Sequence, residues 1–201
     1  TPWGGSAHGG DLWPASGKRA AGGPRFNVEL SPNGYEWFYL DALSDDRKYA
    51  IVVIAMLGNV FSPAYAQARA RSKLVDPLAF CTMNVALYEL EPGGKKRTHW
   101  ALTERDRNQV KRAATRLDIG PSHMSWEDGA LVVHIAELTA PFRSPLRGTV
   151  RVTPSAWSDE SVSIDGSGEH VWRPHAPKAR VSAHFSSPGI SFEGEGYLDS
   201  N

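Results

Sequence analysis

From residue 26 onward the chain is divided into short apolar or aromatic runs separated by Gly, Asp, Asn and Pro. Turn signals recurring at roughly the 8–12-residue interval leave no room for long helices. They direct the chain toward antiparallel strands joined by tight turns. Pro32-Asn-Gly34 is one such turn, and an aromatic strand follows at 35–43. The polar turn 44–47 then leads into 49–57, whose core Ala50-Ile-Val-Val-Ile-Ala-Met-Leu57 is apolar and rich in β-branched residues. Two strands about a polar turn predict a hairpin.

Residues 58–77 break this pattern and predict a loop running into a short basic helix or lid over 66–72. A strand is expected at 79–90, with Cys81, Met83, Val85 and Leu87 on one face, then a turn at Gly93-Gly94 and a return strand at 98–104. Residues 106–115 read as one or two helical turns. Further strands are expected at 116–119, 124–126, 130–138, 146–153, 161–164, 179–185 and 190–197. The pattern is that of an all-β chain, an antiparallel sandwich or barrel with few short helices. Such a barrel can enclose a lipid-sized apolar cavity. By contrast, residues 1–25 are rich in Gly and Pro and predict a flexible arm, in which Trp3 and Trp13 stand out. The ordered region is expected over 26–201.

Charge and composition exclude several classes. Lys and Arg together number 22, as do Asp and Glu, so the formal net charge is zero and nothing favours a nucleic-acid reader. A single Cys rules out an internal disulfide framework and fits a reducing compartment. The His residues show no metal-ligand spacing, so no metal site is expected. The apolar run at 50–57 is far too short to span a bilayer as a helix. The first residues also lack the basic-then-apolar order of a signal peptide. A cytoplasmic protein whose membrane contact is peripheral is the expectation.

Near its end the chain combines His170-Val-Trp172 with Gly194-Glu-Gly-Tyr-Leu-Asp-Ser-Asn201. In a strand, residues two apart share a face, so His170 pairs with Trp172 and Tyr197 with Asp199. Taken alone, Asp199 reads equally as a solvent-facing carboxylate, and the aromatics as ordinary sheet residues. Tyr35, Trp37 and Tyr39 share a strand face suited to clamping an elongated ligand or to filling a core. Glu36 and Asp41 flank these positions as cavity-lining or structural carboxylates. Phe61 and Tyr65, with Arg69 and Arg71, form a candidate entrance touching membrane lipid.

Several stretches together resemble one family. They are Tyr35-Glu-Trp-Phe-Tyr-Leu-Asp-Ala-Leu-Ser-Asp-Asp46, Phe61-Ser-Pro-Ala-Tyr65, Asn84-Val-Ala-Leu-Tyr88, Trp100-Ala-Leu-Thr-Glu-Arg105, Ile119-Gly-Pro-Ser122, Leu138-Thr-Ala-Pro141 and Gly196-Tyr-Leu-Asp-Ser-Asn201. In this collinear order they are similar to the carotenoid 1,2-hydratases (hydroxyneurosporene synthases). One departure is Trp37-Phe38, where the family pattern has Trp-Trp. The family usually runs well past Tyr-Leu-Asp-Ser-Asn, so the resemblance covers its N-terminal part and implies that a C-terminal part is missing.

The resemblance implies a lipocalin-like β architecture, with two such domains in the family. It also implies a cofactor-independent hydro-lyase adding water to the terminal double bond of an acyclic carotenoid of the neurosporene or lycopene type. Asp199 is then the expected acid, with His170 bonding to it and returning the proton. Trp172 and Tyr197 supply π-faces to the carbocation, and Tyr35, Trp37, Tyr39, Phe61 and Tyr65 are expected to contact the substrate. Two other readings fit the same chain: a non-catalytic lipocalin-like carrier of isoprenoids or carotenoids, and a pericyclase on the same architecture.

Overall fold

The first strand sets the inside and the outside. In β1 (Glu36–Ser44), Phe38, Leu40 and Ala42 are buried in the core, while Trp37, Tyr39 and Asp41 alternate with them on the opposite face. The structure is a computed structural model that describes residues 23–90, 96–166, 168 and 170–201. In chain order β1 is followed by β2 (Tyr49–Leu57), helix α1 (Pro63–Arg71), β3 (Cys81–Leu90) and β4 (Lys96–Arg105). Next come β5 (Val110–Arg112), β6 (Arg116–Ile119), β7 (Ser122–Glu127), β8 (Ala130–Leu138) and β9 (Pro145–Pro154). The short β10 (Val162–Ser163) precedes two long strands, β11 (Val171–Ser187) and β12 (Ile190–Ser200).

All pairings are antiparallel, in the order β4-β3-β2-β1-β12-β11-β9-β8-β7-β6-β5, with β10 on β11. The sheet curls into a nearly closed lipocalin-like barrel. Side chains span the gap where no ladder forms: Arg105 at the end of β4 pairs with Glu137 of β8 at 3.1 Å, and Ser122 donates to the same carboxylate at 2.6 Å. The backbone adds Ala140 N–H to the Trp100 carbonyl at 2.7 Å. Inward-facing residues of every long strand fill the interior, including Phe26, Phe38, Leu40, Met83, Met124 and Phe185.

Helix α1 forms because Ser62 caps it, accepting from the Tyr65 N–H, and Pro63 follows at the first turn, where its missing N–H costs nothing. The Ser62 hydroxyl also donates to Glu104 at 2.8 Å, tying the helix start to β4.

Three local expectations change. Residues 106–115 do not make helical turns beyond a single 3-10 turn at Arg107–Gln109, because the Asp106 carboxylate caps only Asn108 before Val110–Arg112 pairs with β6. The strand expected over 179–185 extends from Val171 to Ser187. Pro174 and Pro177 argue against so long a strand, but register shifts between Arg173 and Ala179 absorb them. Order also begins before Phe26: Trp126 donates its indole N–H to the Pro24 carbonyl at 2.9 Å, and the fully buried Phe26 packs edge-on against Phe38. The rest of the expected arm, with Trp3 and Trp13, lies outside the described residues, as does the Gly93-Gly94 turn.

Candidate active site

β1 and β12 run antiparallel with Tyr39 opposite Asp199 and Asp41 opposite Tyr197. The inward face of β12 carries Ile190, Phe192 and Leu198, so Tyr197 and Asp199 point outward beside Tyr39 and Asp41. β12 lies close to β1 at this point: a Cβ on Gly196 would sit 2.4 Å from the Asp41 carbonyl oxygen and 2.6 Å from Val181 Cγ2. The cluster is therefore on the outer face of the barrel. A ligand cavity inside the barrel, one architecture the sequence permits, is not where these residues gather, because the interior positions hold core side chains.

Asp199 is 9% exposed despite facing outward. Its Oδ2 accepts from the Trp172 indole N–H at 2.9 Å, whereas Oδ1 is buried with no hydrogen-bond partner. The Tyr197 hydroxyl, close by but outside hydrogen-bond geometry, is likewise buried and unpartnered. Burial raises the Asp199 pKa above the ordinary carboxylate value. The Trp172 donor works in the opposite direction, and the neighbouring Asp41 adds to the rise. Such a carboxyl group is pushed toward its protonated, proton-donating form.

Around it stand aromatic rings. Tyr39 and Tyr197 meet edge-on at 6.2 Å, and the Tyr39 hydroxyl donates to Asp41 Oδ2 at 3.0 Å. Trp37 stacks on Tyr35 at 5.5 Å, and its backbone N–H donates to the Asn201 side chain at 2.6 Å. Burial raises the pKa of both Tyr39 and Tyr197, so both stay neutral hydroxyls.

His170 sits elsewhere than expected. It lies just before β11, where its Nδ1 hydrogen-bonds the Tyr35 hydroxyl and its Nε2 is 3.5 Å from Asp165. The group bonded to Asp199 is Trp172, because β11 begins at Val171 and brings residue 172, not 170, alongside the end of β12. Tyr35, Trp37 and Tyr39 share the cluster's face. Tyr65 is fully buried, donates to the Gly34 carbonyl and packs against Phe80, so it anchors α1 and presents no surface to a ligand. Phe61 lies at the start of α1 and is 74% exposed. Glu36 faces the interior, 3.5 Å from Arg112, whereas Asp41 belongs to the cluster.

Among the described residues no group of three His, Cys, Asp or Glu is arranged to hold a metal ion. A surface depression of about 560 Å³ lined by Asn108, Gln109, Lys111, Arg116 and Asp118 contains none of the cluster residues.

The family model for the carotenoid hydratase CrtC matches residues 53–201, which is most of the chain and includes the whole of β11 and β12. The chain belongs to the CrtC family. Among its relatives, the acyclic carotenoid 1,2-hydratase of Thiocapsa roseopersicina is 47% identical over 193 residues, covering 96% of this chain and 46% of the relative. That of Rubrivivax gelatinosus is 39% identical, covering 90% of this chain and 43% of the relative. This CrtC chain thus spans about half the length of the curated relatives it matches. A crystal structure of a protein designated AttH from Nitrosomonas europaea superposes with a TM-score of 0.55 at 14% identity, over 94% of this chain and 57% of that one. At that identity the likeness speaks for the lipocalin-like fold alone.

Asn201 is a site component to which the residue spacing assigned no role, and the hydrogen bond from Tyr39 to Asp41 was not foreseen although both residues were singled out. The signal for that bond was the two-residue spacing of Tyr39 and Asp41, which places them on one strand face.

Proposed function

We propose that this CrtC chain carries the site that adds water across the terminal double bond of an acyclic carotenoid in carotenoid biosynthesis. The observation that supports this best is a buried, half-satisfied carboxyl group surrounded by aromatic faces. Asp199 in its protonated form donates H⁺ to C2 of the terminal alkene, and the π electrons form the new C–H bond. The tertiary cation left on C1 lies against Trp172, Tyr197 and Tyr39, whose ring faces favour positive charge. A water held by the Tyr197 hydroxyl and Asp199 Oδ1 bonds to C1 and returns a proton to the Asp199 carboxylate. The sum is one water added, with the acid restored and no cofactor consumed. His170 acts one residue removed, holding Tyr35 and through its ring the edge of the aromatic face.

Substrate of this kind resides in membranes. Phe61, 74% exposed, precedes α1, and Leu74, 80% exposed, follows its basic last turn. Helix α1 leaves the end of β2 that pairs with the start of β1, and the Asp199 end of β12 pairs there too. Apolar insertion beside Arg69 and Arg71 supports a peripheral contact with lipid. Among the described residues no helix is long and apolar enough to cross a bilayer.

A second reading, a carrier that binds the polyene without turnover, is supported by the aromatic face of β1, where Tyr35 stacks on Trp37 and Tyr39 follows on the same side. Incubation with neurosporene or lycopene in liposomes, followed by mass analysis, separates the two. Hydrated product supports the hydratase, and bound but unchanged polyene supports the carrier.

A further inference from the structure

One flank of the barrel exterior is built unlike the rest. On the flank formed by β9 and β11, the outward positions are Arg147, Thr149, Arg151, Arg180, Ser182 and His184, the polar surface of a solvated sheet. Across β2 and β3 the outward positions contain no charged residue. The register there sets two parallel rows, each starting at the Asp199 cluster. One passes from Asp199 through Tyr39, Ile54 and Asn84 to Leu102. The other passes from Tyr197 through Asp41, Val52 and Ala86 to Trp100.

The rows end on exposed apolar side chains: Trp100 is 42% exposed and Leu102 43%. Between β1 and β4 the Trp100 indole N–H donates to Asn84 Oδ1 at 2.8 Å and Tyr39 donates to Asp41. Beyond Asp41 the strip is largely apolar over β2, β3 and β4, and from β12 to β4 it crosses four inter-strand steps of about 4.8 Å, about 19 Å measured along the sheet. An apolar surface of this extent marks a binding site.

Resting on the hydratase reading, we infer that this outer strip from β12 to β4 is the track for the polyene tail, with the reacting terminus at Asp199. Two features select this occupant. The strip is continuous with the proposed acid, so a ligand whose end reacts there must lie along or away from it. Beyond Asp41, across β2 and β3, its outward positions carry no charged group, matching a hydrocarbon that has none. Ile54, Val52, Ala86 and Leu102 thereby select for substrate length, a role separate from the chemistry at Asp199.

The test is lycopene binding in detergent micelles, followed by quenching of tryptophan fluorescence. The proteins are the unmodified chain and the variants Ile54→Glu, Leu102→Glu and, on the polar flank, Ser182→Glu. Circular dichroism confirms that each is folded. A carboxylate under the polyene must be desolvated, so Ile54→Glu and Leu102→Glu are expected to weaken binding at least about tenfold. Ser182→Glu should bind as the unmodified chain does. Equal binding by all four, or none by the unmodified chain, overturns the track. So does a sedimentation result in which the two strip variants change only self-association, which would assign the face to a second copy. The hydratase reading fails separately: if no hydrated product forms but the strip variants still lose lycopene, the track stands without it.

Discussion

The Trp172 indole N–H donates to Asp199 Oδ2 at 2.9 Å from the adjoining strand, and this bond orients the carboxyl group among the surrounding rings. Its energetic effect opposes that of burial. The donor favours the carboxylate, burial favours the acid, and burial prevails. Trp172 therefore sets both the orientation of the acid and the pH at which it loses its proton.

Replacing Trp172 with Phe keeps an aromatic face and removes the donor. The Asp199 pKa should rise further, because the anion loses a stabilising bond. Hydration requires the protonated acid, so activity falls as pH climbs through that pKa. The alkaline limb of the pH–rate profile is expected to move to higher pH in the variant. A limb that stays put or moves down would disconnect Trp172 from the acid.

Gly196, opposite Ala42, lets β12 lie against β1 beside the Asp41–Tyr197 pair. An alanine there must displace the Asp41 carbonyl or Val181, contacts of 2.4 and 2.6 Å for the added Cβ. The expected cost of Gly196→Ala is about 1–3 kcal/mol in urea unfolding, as for other overpacked positions. The register at Asp199 should suffer with it, so turnover falls more than polyene binding.

The interior contributes a pH dependence of its own. Burial pushes the Glu36 pKa from 4.5 up to about 8, with Arg112 and Arg173 only partly opposing it. A carboxyl group that holds its proton more tightly when folded stabilises fully below its unfolded pKa, and that stability is lost as pH rises through the folded value. Between pH 4.5 and about 8 the wild-type chain should lose several kcal/mol of stability. Glu36→Gln should flatten this slope, as read from urea midpoints at pH 5 and pH 8.

Phe61 and Leu74 supply the test of lipid contact. The double variant Phe61→Ser, Leu74→Ser should lose most of its flotation with anionic liposomes, and the wild-type chain should release from them as salt is raised. Unaltered flotation in the variant would place the lipid contact elsewhere.

Much of the fold could be read from local pattern. The hairpin 35–57 and the strands at 116–119 and 130–138 carry strong turn signals and β-branched runs, and they fall where expected. The pairing of Tyr197 with Asp199 on one face follows from the two-residue period of a strand. What local pattern does not contain is register between distant strands. Tyr39 and Asp199 are 160 positions apart in sequence, and only the β1–β12 ladder brings them opposite one another. Inside and outside were also ambiguous in β1, because Phe38 and Leu40 on one face are as apolar as Trp37 and Tyr39 on the other. Neighbouring strands resolve that choice, since Leu198 continues the core face and Asp199 the outer one. His170 was displaced from its expected role by a single boundary: β11 starts one residue after it.

The account turns on Asp199 as the proton donor, and the direct measurement is turnover of lycopene in D₂O by the wild-type chain and by Asp199→Asn. The wild-type chain is predicted to give a hydrated product carrying one carbon-bound deuterium at C2. The variant should retain lycopene binding while product formation falls about 10²–10⁴-fold, the range for loss of a general acid. Equal product from both proteins, or a hydrated product with no deuterium on C2, would contradict it.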